Sequence, residues 1–506
     1  MKSRIAALLV FATPLMAALS QPVRTNAGML AGTPASDPAV TVFRGVPFAA
    51  PPVGNLRWRA PKPVAPWQGV RKAAEFGANC IQQIVEKRDP WTQEFMAHGG
   101  ASEDCLYLNV WTAASRAGEK RPVLVYAHGG GFTEGSGSIA AYDGEVLAKK
   151  GLVVVTINYR LGVLGFLAHP ELTRESDRNA SGNYGLLDQV AALQWIRDNI
   201  AAFGGDPACV TFSGQSAGAM AVHALVLSPL ANGLIHRAIA ESGQLNSPRK
   251  LADAEQDGVR FAESKGAKSL ADLRALPATE FAARPAAPLR FGPVTDGYVI
   301  PADAPPADIP FLTGSNADEG GAVPHPTILA DAYRQGATRR FGDLGERFLA
   351  LYPASTDTEA QQMQNRSSRD QARASLYLWA VKREQGGKAK VYTYFFSHPL
   401  PGPDVEKYGA FHTSEVPYVF DSLSRSDRPF TAADRKLADV ISSYWVNFAR
   451  SGDPNGKSLP VWPAVSAGSA MTMELGDEVR AIPVADKERL DIFREFLARP
   501  RPAGAF

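Results

Sequence analysis

The chain has 506 residues, with 53 lysines and arginines against 51 aspartates and glutamates, a formal net charge of +2. It is 45% hydrophobic, 21% charged and 9% aromatic, the balance of a soluble globular protein with a sizeable core, which excludes a disordered, collagen-like or coiled-coil chain. No run of lysine and arginine supplies the basic stripe that a nucleic-acid binder needs.

Residues 1–20 read as an export signal. Lys2 and Arg4 make a positive start, an apolar stretch runs from residue 5 to residue 19, and Ala18-Leu19-Ser20 offers a small-residue cleavage site. Pro14 inside the stretch, and Gln21-Pro22 after it, argue against a buried helix. The expectation is an exported protein, periplasmic or secreted, whose mature part, residues 21–506, is one domain. No segment of that part is long and apolar enough to span a bilayer. Export allows a disulfide. A bridge between Cys80 and Cys105 would close a loop worth roughly 3–4 kcal/mol, leaving Cys209 as a buried thiol.

Short apolar, β-branched runs then recur at residues 123–126, 152–157, 210–212, 310–312 and 391–396, and they read as buried strands of a mostly parallel sheet. Between them, residues 184–203 carry Leu187, Val190, Leu193, Ile196 and Ile200 at amphipathic-helix spacing. Strand and helix alternate, so the fold class is α/β. Residues 282–289 and 301–310 are proline- and alanine-rich connectors, and residues 327–352 and 357–385 are polar, helix-compatible segments suited to cap insertions.

Gly214-Gln215-Ser216-Ala217-Gly218 lies between a strand-like and a helix-like run. In that setting G-x-S-x-G makes a sharp turn that thrusts the serine out at the end of the sheet, so Ser216 is the candidate nucleophile. A hydroxyl attacking a carbonyl needs donors for the developing oxyanion. Backbone N–H groups of Gly130 and Gly131, in His128-Gly129-Gly130-Gly131-Phe132, would supply two and Ala217 a third. No Gly-Lys-Ser/Thr follows, which excludes a phosphate loop. The order Ser, acid, His leaves Asp318 and Glu319 equal as the acid, and His325, His398 and His412 competing for the base. His223 and His236 read as structural.

Several motifs in order resemble the type-B carboxylesterases, a family of α/β-hydrolases that includes bacterial para-nitrobenzyl esterases and, more distantly, cholinesterases. They are residues 43–54 (FRGVPFAAPPVG), 102–110 (SEDCLYLNV), the HGGGF loop, 158–162 (NYRLG), 203–207 (FGGDP) and GQSAG. The resemblance implies an α/β-hydrolase fold with helical cap insertions, Glu319 as the triad acid, His412 as the base, a Cys80–Cys105 disulfide, and a buried ion pair between Arg57 and Glu103. It also puts Ser242 where relatives place a second serine that hydrogen-bonds the triad, a position a simple core serine would fill equally well. Residues 85–100 contain Trp91 and Phe95 but do not match the choline-site pattern.

The expected chemistry is hydrolysis of a small-molecule carboxylic ester through an acyl-enzyme on Ser216, with no metal or organic cofactor required. Amidase, transacylase or polyester hydrolase activity could use the same groups, and a catalytically dead binding or adhesion protein of this fold is the alternative of another class. Aryl or alkyl esters, phthalate-type diesters and polycarboxylate esters of fumonisin-like toxins all remain candidate substrates.

Overall fold

The computed structural model describes residues 19–245, 248–320 and 327–499. The expected leader falls almost wholly outside them, and so does His325. Eleven strands form the main sheet: β1 (Thr33–Pro34), β2 (Thr41–Pro47), β3 (Tyr107–Thr112), β4 (Arg121–Ala127), β5 (Val153–Ile157), β6 (Gly205–Gln215), β7 (Arg237–Glu241), β8 (Phe311–Asn316), β9 (Val391–Phe396), β10 (Met471–Leu475) and β11 (Val479–Pro483). Their spatial order is β11-β10-β9-β8-β7-β6-β4-β5-β3-β2-β1. Neighbours from β5 through β10 pair in parallel, and antiparallel strands finish both edges. This is the α/β-hydrolase architecture.

The parallel strands are apolar without a break because both faces are covered. Alternate residues of β4 separate: Val123, Val125 and Ala127 join one core, while Leu124 and Tyr126 join the other. The expected amphipathic helix forms at Tyr184–Asn199 and continues as a 3₁₀ turn, Ile200–Phe203. Val190, Leu193, Ile196 and Ile200 are buried, as is Asp188, which pairs with Arg160 at 2.7 Å. The helices Ala330–Phe341 and Asp357–Gln385 pack beside each other, and the longer one lies on β8 and β9.

Cys80 and Cys105 form a disulfide with their Cα atoms 4.9 Å apart, and Arg57 makes a two-pronged ion pair with Glu103, both bonds 2.7 Å. Cys209 is half-buried rather than fully enclosed, with the Arg237 guanidinium 3.1 Å from its sulfur. No helix among the described residues is long and apolar enough to cross a membrane.

Candidate active site

The sheet gathers its chemistry at the carboxyl ends of β4, β6, β7 and β8, where open parallel sheets leave a crevice for ligands. β6 ends at Gln215 and the helix Ala217–Leu227 begins two residues later, leaving Ser216 alone in the turn at φ 57°, ψ −118°. That backbone costs a non-glycine residue about 1–3 kcal/mol and persists because its surroundings impose it. The Ser216 N–H donates to the Glu241 carbonyl at 2.8 Å. A Cβ on Gly218 would stand 2.0 Å from the Ala127 carbonyl oxygen. Only glycine lets the helix start so close to β4.

The loop after β4 is pinned at both ends. Tyr159 donates its hydroxyl to the His128 carbonyl at 2.7 Å and stacks on the imidazole, which bonds the Gly129 carbonyl at 2.8 Å. Burial lowers the His128 pKa to about 4, so the ring is neutral. At the far end, Gln82 exchanges two hydrogen bonds with the Gly135 backbone, both 2.8 Å. Between these anchors Gly130 and Gly131 turn with φ of 98° and 62°. Both line a cavity of about 240 Å³ together with Ser216, Gln215 and His412. Ala217 is buried at the head of its helix.

His412 is carried on the segment before the helix Val416–Phe420. Its Nδ1 is 2.5 Å from Glu319 Oε2, so the ring proton sits on Nδ1 and Nε2 is left as an acceptor. The Gln215 amide nitrogen lies against the ring, 3.2 Å from Nε2 and 3.5 Å from Nδ1. Burial alone would lower the His412 pKa, but the charge and hydrogen bond of Glu319, with Glu415 behind, outweigh it and hold it above the usual imidazole value. Burial pushes Glu319 up in turn; the His412 charge and hydrogen bond, the Ser242 hydroxyl and the Asn316 N–H, 2.7 Å away, bring it below the ordinary carboxylate value.

Behind this pair lies a layer of buried polar groups. Asn316 donates its side-chain amide to Glu415 at 2.5 Å and to the Phe411 carbonyl at 2.7 Å. Ser242, at φ 52°, donates to Glu415 at 3.3 Å. Burial, then the charge on Glu319, raises the Glu415 pKa to about 7. Glu241, bonded by the Trp445 indole at 2.7 Å, is pushed well above its usual value by burial and then by Glu415.

The other acid and base candidates lie elsewhere in the polar framework. Asp318 accepts from Arg369 at 2.6 Å and from the Ala410 N–H at 3.0 Å, fixing the loop that leads to His412. His398 sits between Asp477 at 2.6 Å and Asp434 at 2.9 Å. His223 is buried and neutral, its pKa lowered to about 3 mainly by burial. Gln215 is visible only as a variable position of G-x-S-x-G and Trp91 only as one aromatic of residues 85–100, while Asn316 and Glu415 carry no motif of their own that would single them out. Glu415 has only its place three residues after His412. Among the described residues no group of three or more His, Cys, Asp or Glu side chains is placed to hold a metal ion.

A model of the carboxylesterase family matches residues 20–492. The chain belongs to that family. The esterase is 39% identical over 450 residues to a fumonisin B1 esterase of Sphingopyxis macrogoltabida, covering 84% of this chain and 81% of the relative. It is 34% identical over 496 residues to the para-nitrobenzyl esterase of Bacillus subtilis (strain 168), covering 91% and 95%. It is also 34% identical over 491 residues to a human cocaine esterase, covering 88% and 86%. This carboxylesterase is a carboxylic ester hydrolase of the serine type.

Proposed function

We propose that Ser216, His412 and Glu319 carry the ester hydrolysis, with Gly130, Gly131 and Ala217 as the oxyanion hole. The observation that carries this reading is the 2.5 Å contact between His412 Nδ1 and Glu319, on a ring that shares a cavity with a serine held at positive φ. His412 Nε2 takes the Ser216 proton as Oγ attacks the ester carbonyl, and Glu319 stabilises the imidazolium. The N–H groups of Gly130, Gly131 and Ala217 hold the oxyanion until the C–O bond breaks and His412 returns the proton to the departing alcohol. Water then attacks the acyl-Ser216 by the same route and releases the acid. Ser242 acts behind the triad by donating toward Glu319 and Glu415.

The test is a stoichiometric fluorophosphonate label mapped by mass spectrometry, together with turnover of aryl esters by Ser216→Ala, His412→Ala and His398→Ala. The expected result is one label on Ser216, loss of about 10⁴-fold or more in kcat for the first two variants, and retained turnover in the third. A label elsewhere, or a larger loss in His398→Ala than in His412→Ala, overturns the assignment. Added alcohol during turnover separates hydrolysis from acyl transfer.

We further propose that residues 1–20 are an export leader and that the mature enzyme works outside the cytoplasm, where a disulfide such as Cys80–Cys105 persists. The mass of the mature chain recovered from a bacterial host tests this: a start near Gln21 is expected, and an intact Met1 in exported protein overturns it.

A further inference from the structure

The sequence leaves residues 282–289 as a connector, yet Arg284 from that stretch lines the cavity that holds Ser216 and His412. It lines a second cavity as well, about 350 Å³ and walled by apolar groups such as Phe132, Phe166 and Met220. Its guanidinium therefore stands at the junction between the reacting groups and a space suited to the body of a substrate.

Among the described residues Arg284 is held there by one neutral bond: its Nη2 donates to Thr133 Oγ1 at 2.7 Å, and Thr133 Oγ1 donates to the Gly130 carbonyl at 3.2 Å. The guanidinium is tethered to the glycine loop itself, and Nη2 lies 3.7 Å from where a Cβ of Gly131 would be. Among the described residues no carboxylate pairs with Arg284. The other charges lining the reaction cavity cancel, since Arg88 grips Glu134 with two bonds of 2.6 and 2.7 Å. Among the described residues Arg284 is therefore the one charged side chain lining the cavity without an ion-pair partner there, the Glu319 carboxylate being engaged by the His412 ring. Its fork has N–H donors to spare beyond the Thr133 bond, in a geometry that matches a carboxylate.

Resting on ester hydrolysis at Ser216, we propose that Arg284 determines specificity by binding a free carboxylate on the substrate, so that the preferred esters are monoanionic, such as half-esters of dicarboxylic acids. The carboxylate takes the donors that Thr133 leaves unused, close to the loop assigned to the oxyanion.

The test compares each monoanionic ester with its neutral carboxamide isostere. One pair, ethyl hydrogen glutarate and its amide, places the charge on the acyl side; the other, O-acetyl-4-hydroxybutyrate and its amide, places it on the alcohol side. Wild type is expected to prefer the anion in at least one pair by about tenfold in kcat/KM, mainly through KM, with the preference shrinking as salt rises. Arg284→Gln should lose that ratio, Arg284→Lys should keep part of it, and Arg284→Glu should reverse it. A loop-anchoring role alone would lower both members of a pair together and leave the ratio unaltered. No preference in either pair, or one that survives in Arg284→Gln, overturns the inference while Ser216-dependent turnover of the neutral esters still stands. If no ester is turned over at all, the ester-hydrolysis reading fails first and this inference with it.

Discussion

The indole N–H of Trp91 donates to the backbone carbonyl of His412 at 3.0 Å. Trp91 lies within the loop closed by Cys80 and Cys105, so that loop is fastened to the segment carrying the imidazole. Its ring also meets Phe411 edge-on, with centroids 6.5 Å apart, and Gln82 from the same loop braces the glycine turn. A segment far from His412 in the chain therefore steadies both the proposed base and the proposed oxyanion donors.

Trp91→Phe keeps an aromatic edge against Phe411 and removes the donor. Losing one such bond costs about 1 kcal/mol, so kcat/KM for a neutral ester should fall severalfold. Steady-state kinetics check this, and full activity in Trp91→Phe would mean that the contact does not position His412.

The two glycines assigned to the oxyanion hole should respond differently to alanine. At Gly130, with φ 98°, a Cβ would stand 2.1 Å from the Glu134 carbonyl oxygen, so the loop must move. At Gly131, φ is 62° and nothing comes nearer than 3.7 Å, which leaves only a left-handed backbone cost of about 1–2 kcal/mol. Gly130→Ala should therefore lose about 100-fold or more in kcat, the scale of a lost oxyanion donor, and Gly131→Ala much less. Equal losses in a kinetic comparison would count against this geometry.

The acid limb of the pH profile carries a sign. His412 works as a base only when neutral, and its pKa is raised, so kcat/KM should fall with decreasing pH through a midpoint above 6.5, the ordinary imidazole value. The Glu415 charge, present above its pKa of about 7, favours the imidazolium. Glu415→Gln removes that charge and should move the acid limb to lower pH. A pH–rate series on the two proteins reads the shift, and movement to higher pH would contradict it.

The Cys80–Cys105 loop should matter to stability as well as to the site. The sequence separation is 25, for which the chain-entropy account gives about 3–4 kcal/mol. Cys80→Ser/Cys105→Ser should unfold at lower urea than wild type, and reductant should lower the wild-type midpoint without affecting the variant. An unchanged midpoint in the double variant would show that Arg57–Glu103 and the packing around it suffice.

Local pattern was enough for the parts of this molecule whose chemistry is local. The apolar runs at residues 123–126 and 391–396 form strands because an all-apolar run needs cover on both faces. Gly214 and Gly218 announce the turn around Ser216 because a Cβ at either position would strike backbone. The acid and base were open on the residues alone, between Asp318 and Glu319 and among three histidines.

The contact between His412 and Glu319, on which the proposed assignment rests, depends on distance between elements. His412 and Glu319 are 93 residues apart in the chain, and only the pairing of β8 with its neighbours brings their loops together. Asp318 differs from Glu319 by one step along the backbone, which turns it toward Arg369 instead of the imidazole. Arg284 sits in a stretch with no periodicity, and its meaning depends on which charges fold up around it. Propensity and close contact are properties of a few consecutive residues, whereas electrostatic pairing and cavity shape are properties of surfaces that meet only after the sheet has assembled.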